Sequence, residues 1–159
     1  MIDNIFFKIT ADTREKIRQR ILREIDKTEN LKIKRILQQR NLTSSLIKGT
    51  MAYYLQNGLN RGLNDEDKLC FSTGLEIYAT GFVVLDNVVD HHEVRSNKTT
   101  YVSEYGSEIN TLASVYSTHL GMKILFPFIK TFSSSFSHFF NLEKVVEGML
   151  QLDLGHVQD

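Results

Sequence analysis

The chain of 159 residues has one cysteine, one proline and no net charge. A single thiol, Cys70, allows no disulfide within the chain and no cysteine pair for a metal. It reads as a small core residue of a protein in a reducing, cytoplasmic setting. With so little proline, nine glycines and few alternating β-branched runs, the expectation is helix throughout. No run of about eighteen uninterrupted apolar residues occurs, which argues against a membrane span. The first ten residues lack a basic stretch followed by a long apolar one, so no secretory signal is read there. The neutral total hides an asymmetry. Residues 1–48 hold 12 of the 19 Lys and Arg but 6 of the 19 acids, so they carry +6 and the remainder −6. A basic region of this kind can meet nucleic acid or an anionic membrane surface. Here Arg14, Arg18 and Lys32 interleave with Glu15, Glu24 and Asp26, with no aromatic residues between them for base stacking. The reading is a solvated face and no nucleic-acid partner.

What is present suits an ordinary globular protein: 42% hydrophobic and 24% charged residues over one domain's length, 1–159. Ile17, Ile21, Leu22 and Ile25 recur at steps of three and four and predict an amphipathic helix over 12–29, with Thr10 or Asp12 as its N-cap and Asn30 closing it. A second helical region begins at Leu31 with Ile33, Ile36 and Leu37 inward. It resumes after Leu42 with Leu46, Ile47, Met51, Tyr54 and Leu55, and ends at Asn57-Gly58. Residues 64–93 read as one long core helix, because Leu69, Phe71, Leu75, Ile77, Tyr78, Phe82 to Leu85, Val88 and Val89 occupy nearly every angle around it. Beyond Gly106, residues 107–123 carry Ile109, Leu112, Ala113, Tyr116, Leu120 and Met122 at helical spacing, which makes His119 a core histidine. Pro127 is expected to break the next run, Ser133 to Ser137 to form a loop, and a last helix to start at Asn141. The fold class is all-α, an antiparallel helical bundle.

Asp86 and Asp90 stand four apart, so both carboxylates lie on one helical face, with Glu76 further down. Two like charges among valines must be protonated, exposed at a helix end, or neutralised by a cation. Oxygen ligands from one face, with the rest of the shell open, suit Mg²⁺. The plainer reading is a helix terminus where Asp90, His91, His92 and Glu93 meet water. His91 and His92 are adjacent, and neighbouring helical side chains point apart, so they read as a polar helix end rather than a chelate. Tyr78 and Phe82 lie two turns and one turn before Asp86, as core aromatics or as part of a pocket.

The ordered set resembles the first aspartate-rich region of the trans-prenyl diphosphate synthases: Glu76, ten residues to Asp86, Asp-x-x-x-Asp, then Arg95, Lys98-Thr99-Thr100 and Glu104-Tyr105-Gly106. That family has Asp-Asp-x-x-Asp, then Arg-Arg-Gly-x-Pro-Thr and a Tyr-Gly. The resemblance covers about residues 30–159, the N-terminal half or so of such a synthase, and implies an incomplete bundle of the isoprenoid synthase type. It assigns Asp86, Asp90 and Asp159 as Mg²⁺ ligands, the last from Gly155-His156-Val157-Gln158-Asp159, which resembles the family's Gly-Gln-x-x-Asp. It assigns Asp86, Asp90 and Arg95 to catalysis, and Arg40, Arg95, Lys98, Tyr78 and Phe82 to substrate binding. Tyr78 and Phe82 would floor the pocket for a short prenyl tail.

There are departures from the family pattern. Asn87 replaces the second Asp, His156 replaces Gln, and Ser96 replaces the second Arg. The family's basic loop for isopentenyl diphosphate is matched by Gln38-Gln39-Arg40-Asn41-Leu42-Thr43-Ser44, which keeps only Arg40 as a cation. The resemblance implies a Mg²⁺-dependent enzyme that ionises an allylic prenyl diphosphate and condenses it with isopentenyl diphosphate. The altered loop leaves open a terpene cyclase that dispenses with isopentenyl diphosphate, and Asn87 a non-catalytic subunit. A half-bundle with an uncovered core implies a homodimer or heteromer.

Overall fold

The computed structural model describes residues 2–58, 63–91, 94–95, 98–99 and 101–136. They form six helices and a two-stranded hairpin: α1 (Ile2–Ile9), α2 (Ala11–Ile25), α3 (Leu31–Thr43), α4 (Ile47–Gly58), α5 (Asp65–Val89), β1 (Val94–Arg95), β2 (Lys98–Thr99) and α6 (Tyr101–Phe136). The architecture is an all-α helical bundle. The chain divides into two compact units, Met1–Leu125 and Phe126–Asp159, and α6 runs from the first into the second. The serines at 133–135 lie within α6, as does Pro127. The helix expected from Asn141 and the residue Asp159 lie outside the described residues.

The α2–α3 pair follows the apolar spacing. Ile17, Ile21 and Ile25 of α2 and Ile33, Ile36 and Leu37 of α3 are all buried in one cluster. Each such side chain contributes about 1.5–3 kcal/mol by leaving water. α2 ends at Ile25 with Asp26 as its C-cap, short of the expected close at Asn30, and Asn30 instead caps α3, its side-chain oxygen accepting the N–H groups of Lys32 and Ile33 at 3.0 and 3.1 Å. The hairpin is tied by Lys34 to Asp26 at 3.0 Å and, at its other end, by Arg18 to the carbonyls of Asn41, Leu42 and Ser44. Those carbonyls terminate α3, so Arg18 serves as its C-terminal cation.

α3 and α4 then run one after the other along α2, joined at Ser44–Leu46. Leu46 turns the chain in a left-handed conformation, φ 55°, with its side chain wholly buried and its N–H held by Ser44 Oγ. Further on, Tyr54 of α4 reaches Thr13 of α2 through their hydroxyls at 3.0 Å. α4 was expected to turn Ile47, Met51, Tyr54 and Leu55 inward. The structure turns Ile47, Met51 and Leu55 out, holds Tyr54 at the edge by its hydroxyl, and buries Gly49, Thr50 and Gln56 instead. The reason is distance. A Cβ on Gly49 would stand 2.7 Å from the carbonyl oxygen of Ser72, so α4 and α5 cross in contact and leave no room for large residues.

α5 is capped by Asn64, whose side chain accepts the Asp67 N–H at 2.8 Å, and it ends at Val89 with Asp90 as C-cap. It runs antiparallel to α6: Gly74 lies against Ile124 and Leu125, Tyr78 against Gly121, and Gly81 against Ser114. Ser117 Oγ donates to the Ile77 carbonyl at 2.7 Å across this interface. Here too, small and hydroxyl residues are buried, while Leu112 and Met122, expected inside, are exposed. His119 is exposed rather than a core histidine. Among the described residues, α5 is the one helix long and apolar enough to cross a membrane.

Candidate functional site at the C-terminal end of α5

Asp86 sits in the last turn of α5 and Asp90 is its C-cap; both are exposed, and the Asp90 N–H closes on the Asp86 carbonyl at 2.9 Å. The last turn carries no basic residue. Two carboxylates therefore stand where the helix already presents its unpaired carbonyls and negative dipole end, the reverse of the usual placement. Such an end attracts a cation. His91 follows with φ 50°, its N–H bonded to the Val88 carbonyl at 3.2 Å, and so turns the chain out of the helix. The chain then forms the hairpin, in which Arg95 and Lys98 are register partners, as are Val94 and Thr99. The hairpin follows the acid pair by only a few residues, so its two cationic residue types are tethered close to the acids along the chain.

Glu76 is not part of this cluster. It lies ten residues earlier on α5, about 15 Å along the axis. Its carboxylate is 4% exposed and accepts the Gly49 N–H at 2.7 Å. Gly49 is the third residue of α4, so Glu76 supplies from a neighbouring helix the anionic cap that α4 lacks in its own sequence. Sequence spacing could not reveal that partner.

Below the acids, Phe71, Leu75, Tyr78, Phe82, Leu85 and Val89 recur at alternating steps of four and three. This stripe lies between the face of α5 that meets α6 and the face that meets α4. Phe82 and Val89 are 42% and 47% exposed, and the other four are half-buried. The rings of Tyr78 and Phe82 meet edge to face with centroids 5.1 Å apart. The long helix is therefore not apolar all round inside the bundle. Its deepest positions are Ser72, Thr73, Gly74, Glu76, Thr80 and Gly81, with Ile77 and Val84, and its largest apolar side chains form an open edge that ends one turn from Asp86.

The stretch matched to a basic loop is the C-terminal turn of α3. Arg40 is half-buried. Asn41 is 1% exposed, its amide donating to the Leu37 carbonyl at 2.8 Å and its oxygen accepting from Thr80 at 3.4 Å. The Thr43 hydroxyl donates back to the Gln39 and Arg40 carbonyls, both at 3.1 Å. The side chains of Asn41 and Thr43 are engaged by the chain itself, and Arg18, read from the sequence as part of a solvated face, binds the carbonyls that end this turn.

Cys70 is half-buried beside Arg20, and burial pushes its thiol above the usual range. Arg20 pairs with Glu66 across α2 and α5. Among the described residues no three or more His, Cys, Asp or Glu side chains gather where they could share a metal ion. Asp86 and Asp90 fit a hard cation that takes its remaining oxygens from water and a phosphate ligand. No protein-family model and no curated protein matches this chain. What fold and site define is a helical-bundle protein with an acidic helix end above an apolar stripe.

Proposed function

We propose that this chain binds an allylic prenyl diphosphate through Mg²⁺ and belongs to an enzyme that ionises it for transfer to isopentenyl diphosphate. The observation that carries the reading is the joining, on one helix, of an open apolar stripe with two carboxylates at its C-terminal end. A ligand with a long apolar tail and a dianionic head has the same two-part chemistry. Asp86 and Asp90 would hold Mg²⁺, which supplies charge neutralisation to the departing pyrophosphate. Arg95 and Lys98 add fixed positive charge on the head. The stripe would give the prenyl tail an apolar surface to lie on, and the aromatic faces of Tyr78 and Phe82 would favour a carbocation near them.

A specific observation favours a second reading, in which no second diphosphate binds. Asn41 and Thr43 spend their polar groups within α3, and Arg18 spends its guanidinium on the same turn. This leaves less positive charge for isopentenyl diphosphate there and suits a cyclase.

The test is Mg²⁺-dependent binding of farnesyl diphosphate to the chain, with product analysis on the longest reading frame containing it, with and without isopentenyl diphosphate. Binding that falls at least tenfold in Asp86→Asn and Asp90→Asn supports the site. A longer prenyl diphosphate formed only with isopentenyl diphosphate supports transfer, and hydrocarbons or alcohols without it support the cyclase. No Mg²⁺-dependent binding and no pyrophosphate release defeats both and leaves a non-catalytic scaffold.

A further inference from the structure

Between Leu31 and Gly58 the sequence holds five Lys and Arg and no Asp or Glu. That run is α3, the elbow and α4, which lie in series along α2. α3 turns an apolar face inward at Ile33, Ile36 and Leu37, and Leu46 is buried at the elbow, yet both helices carry large apolar side chains outward: Leu31 is 70% exposed, Leu42 56%, Met51 50% and Leu55 60%. The outward cations are as distinctive. Lys34, on the inner flank, is paired with Asp26, whereas exposed Lys32, Arg35 and Lys48 enter none of the ion pairs among the described residues.

From these positions we infer that the outer face of α3–α4 is a docking surface for an anionic phospholipid bilayer, independently of the allylic-diphosphate reading. The choice of occupant rests on charge complementarity combined with aliphatic anchors. A solvated helix face carries both signs of charge, as α2 does with Asp12, Glu15, Lys16 and Arg23. An acid-free face repels other cations and seeks an anionic partner. Nucleic acid would satisfy the charge but gives no reason for leucine and methionine to stand in water. A bilayer interface satisfies both, taking the leucines into the acyl boundary while Lys and Arg remain at the headgroups. The two helices span 28 residues from Leu31 to Gly58, about 40 Å, and would lie along the membrane plane rather than across it.

The experiment is co-sedimentation of the chain with phosphatidylcholine vesicles, with and without phosphatidylglycerol. The wild type is expected to sediment with the anionic vesicles and to be released as salt is raised. Neutralisation of Lys32, Arg35 and Lys48 to Gln should weaken partitioning on the order of a hundredfold, since each surface charge contributes about a factor of five. The pair Leu42→Ser and Leu55→Ser, at exposed positions that the core does not need, should weaken it at least tenfold while circular dichroism stays helical. Wild-type protein left in the supernatant with anionic vesicles overturns the inference. So does binding that the serine pair leaves unchanged, or equal binding to DNA, since either reports a bare polyanion site.

Discussion

The α2–α3 half and the α5–α6 half of this bundle are built on opposite packing rules. Between α2 and α3, six large aliphatic side chains fill the space between the axes, and burial of their surface holds the pair together. Between α5 and α6, a glycine or hydroxyl residue stands at nearly every contact, so the backbones approach until Gly81 lies against Ser114 and Gly121 against Tyr78. Dispersion between close main chains and the Ser117–Ile77 hydrogen bond replace aliphatic bulk there. The exchange has a consequence for function. The large residues of α5 are displaced from its packed faces to its edge, and that edge is the apolar stripe that leads to Asp86.

The contrast is broken most severely by changing size in opposite directions. Ile21→Ala, a deletion at a fully buried position of α2, should cost about 3 kcal/mol through lost burial and a residual cavity. Gly121→Ala, an addition, should cost about 2 kcal/mol, because the new Cβ would stand 2.5 Å from the Tyr78 nitrogen and 2.6 Å from its Cα, atoms that cannot swing aside. Urea unfolding of both variants checks this. If Gly121→Ala is as stable as the wild type, α5 and α6 are not in backbone contact.

The same contrast explains what the sequence made legible. Where aliphatic bulk fills the interface, periodicity marks the inner face, so the isoleucines of α2 and α3 were readable, whereas Asn30, read as the close of the first helix, caps the second. Where helices touch through small residues, the apolar spacing marks the outer face, and Ile47, Met51, Leu55, Leu112 and Met122 read as inward when they point out. Asp86 and Asp90 were placed correctly on one face because four-residue spacing is a local property. The tasks of Glu76 and Arg18 were not legible, since each is defined by a partner more than twenty residues away, Gly49 and the end of α3.

Glu76 tests the junction between the two regimes, because it joins α4 to α5 by charge rather than by bulk. Glu76→Ala leaves the Gly49 N–H buried without an acceptor and should cost about 2 kcal/mol. Glu76→Gln keeps an oxygen acceptor and should recover most of that loss, apart from the interaction of the charge with the α4 dipole. Thermal unfolding of the two variants separates the roles. Equal losses would mean that the charge carries the whole effect and the hydrogen bond none.

The smallest expected effects run in the stabilising direction and are confined to hydroxyls that the polar regime leaves unsatisfied. Thr73 is completely buried on α5 and its Oγ1 has no hydrogen-bond partner, so Thr73→Val removes an uncompensated polar atom at nearly constant shape and should add about 1 kcal/mol. Tyr101, at the start of α6, has the same defect in its phenol, with burial pushing the pKa up to about 12 from 10.0. The folded state thus favours the protonated phenol. Its contribution is intact below pH 10 and is lost as pH rises through about 12, because the unfolded chain ionises first. Tyr101→Phe should be at least as stable as the wild type at neutral pH and should lack that part of the alkaline decline. A wild type and a Phe variant that lose stability in parallel between pH 10 and 12 would show that the Tyr101 hydroxyl reaches water in the folded protein.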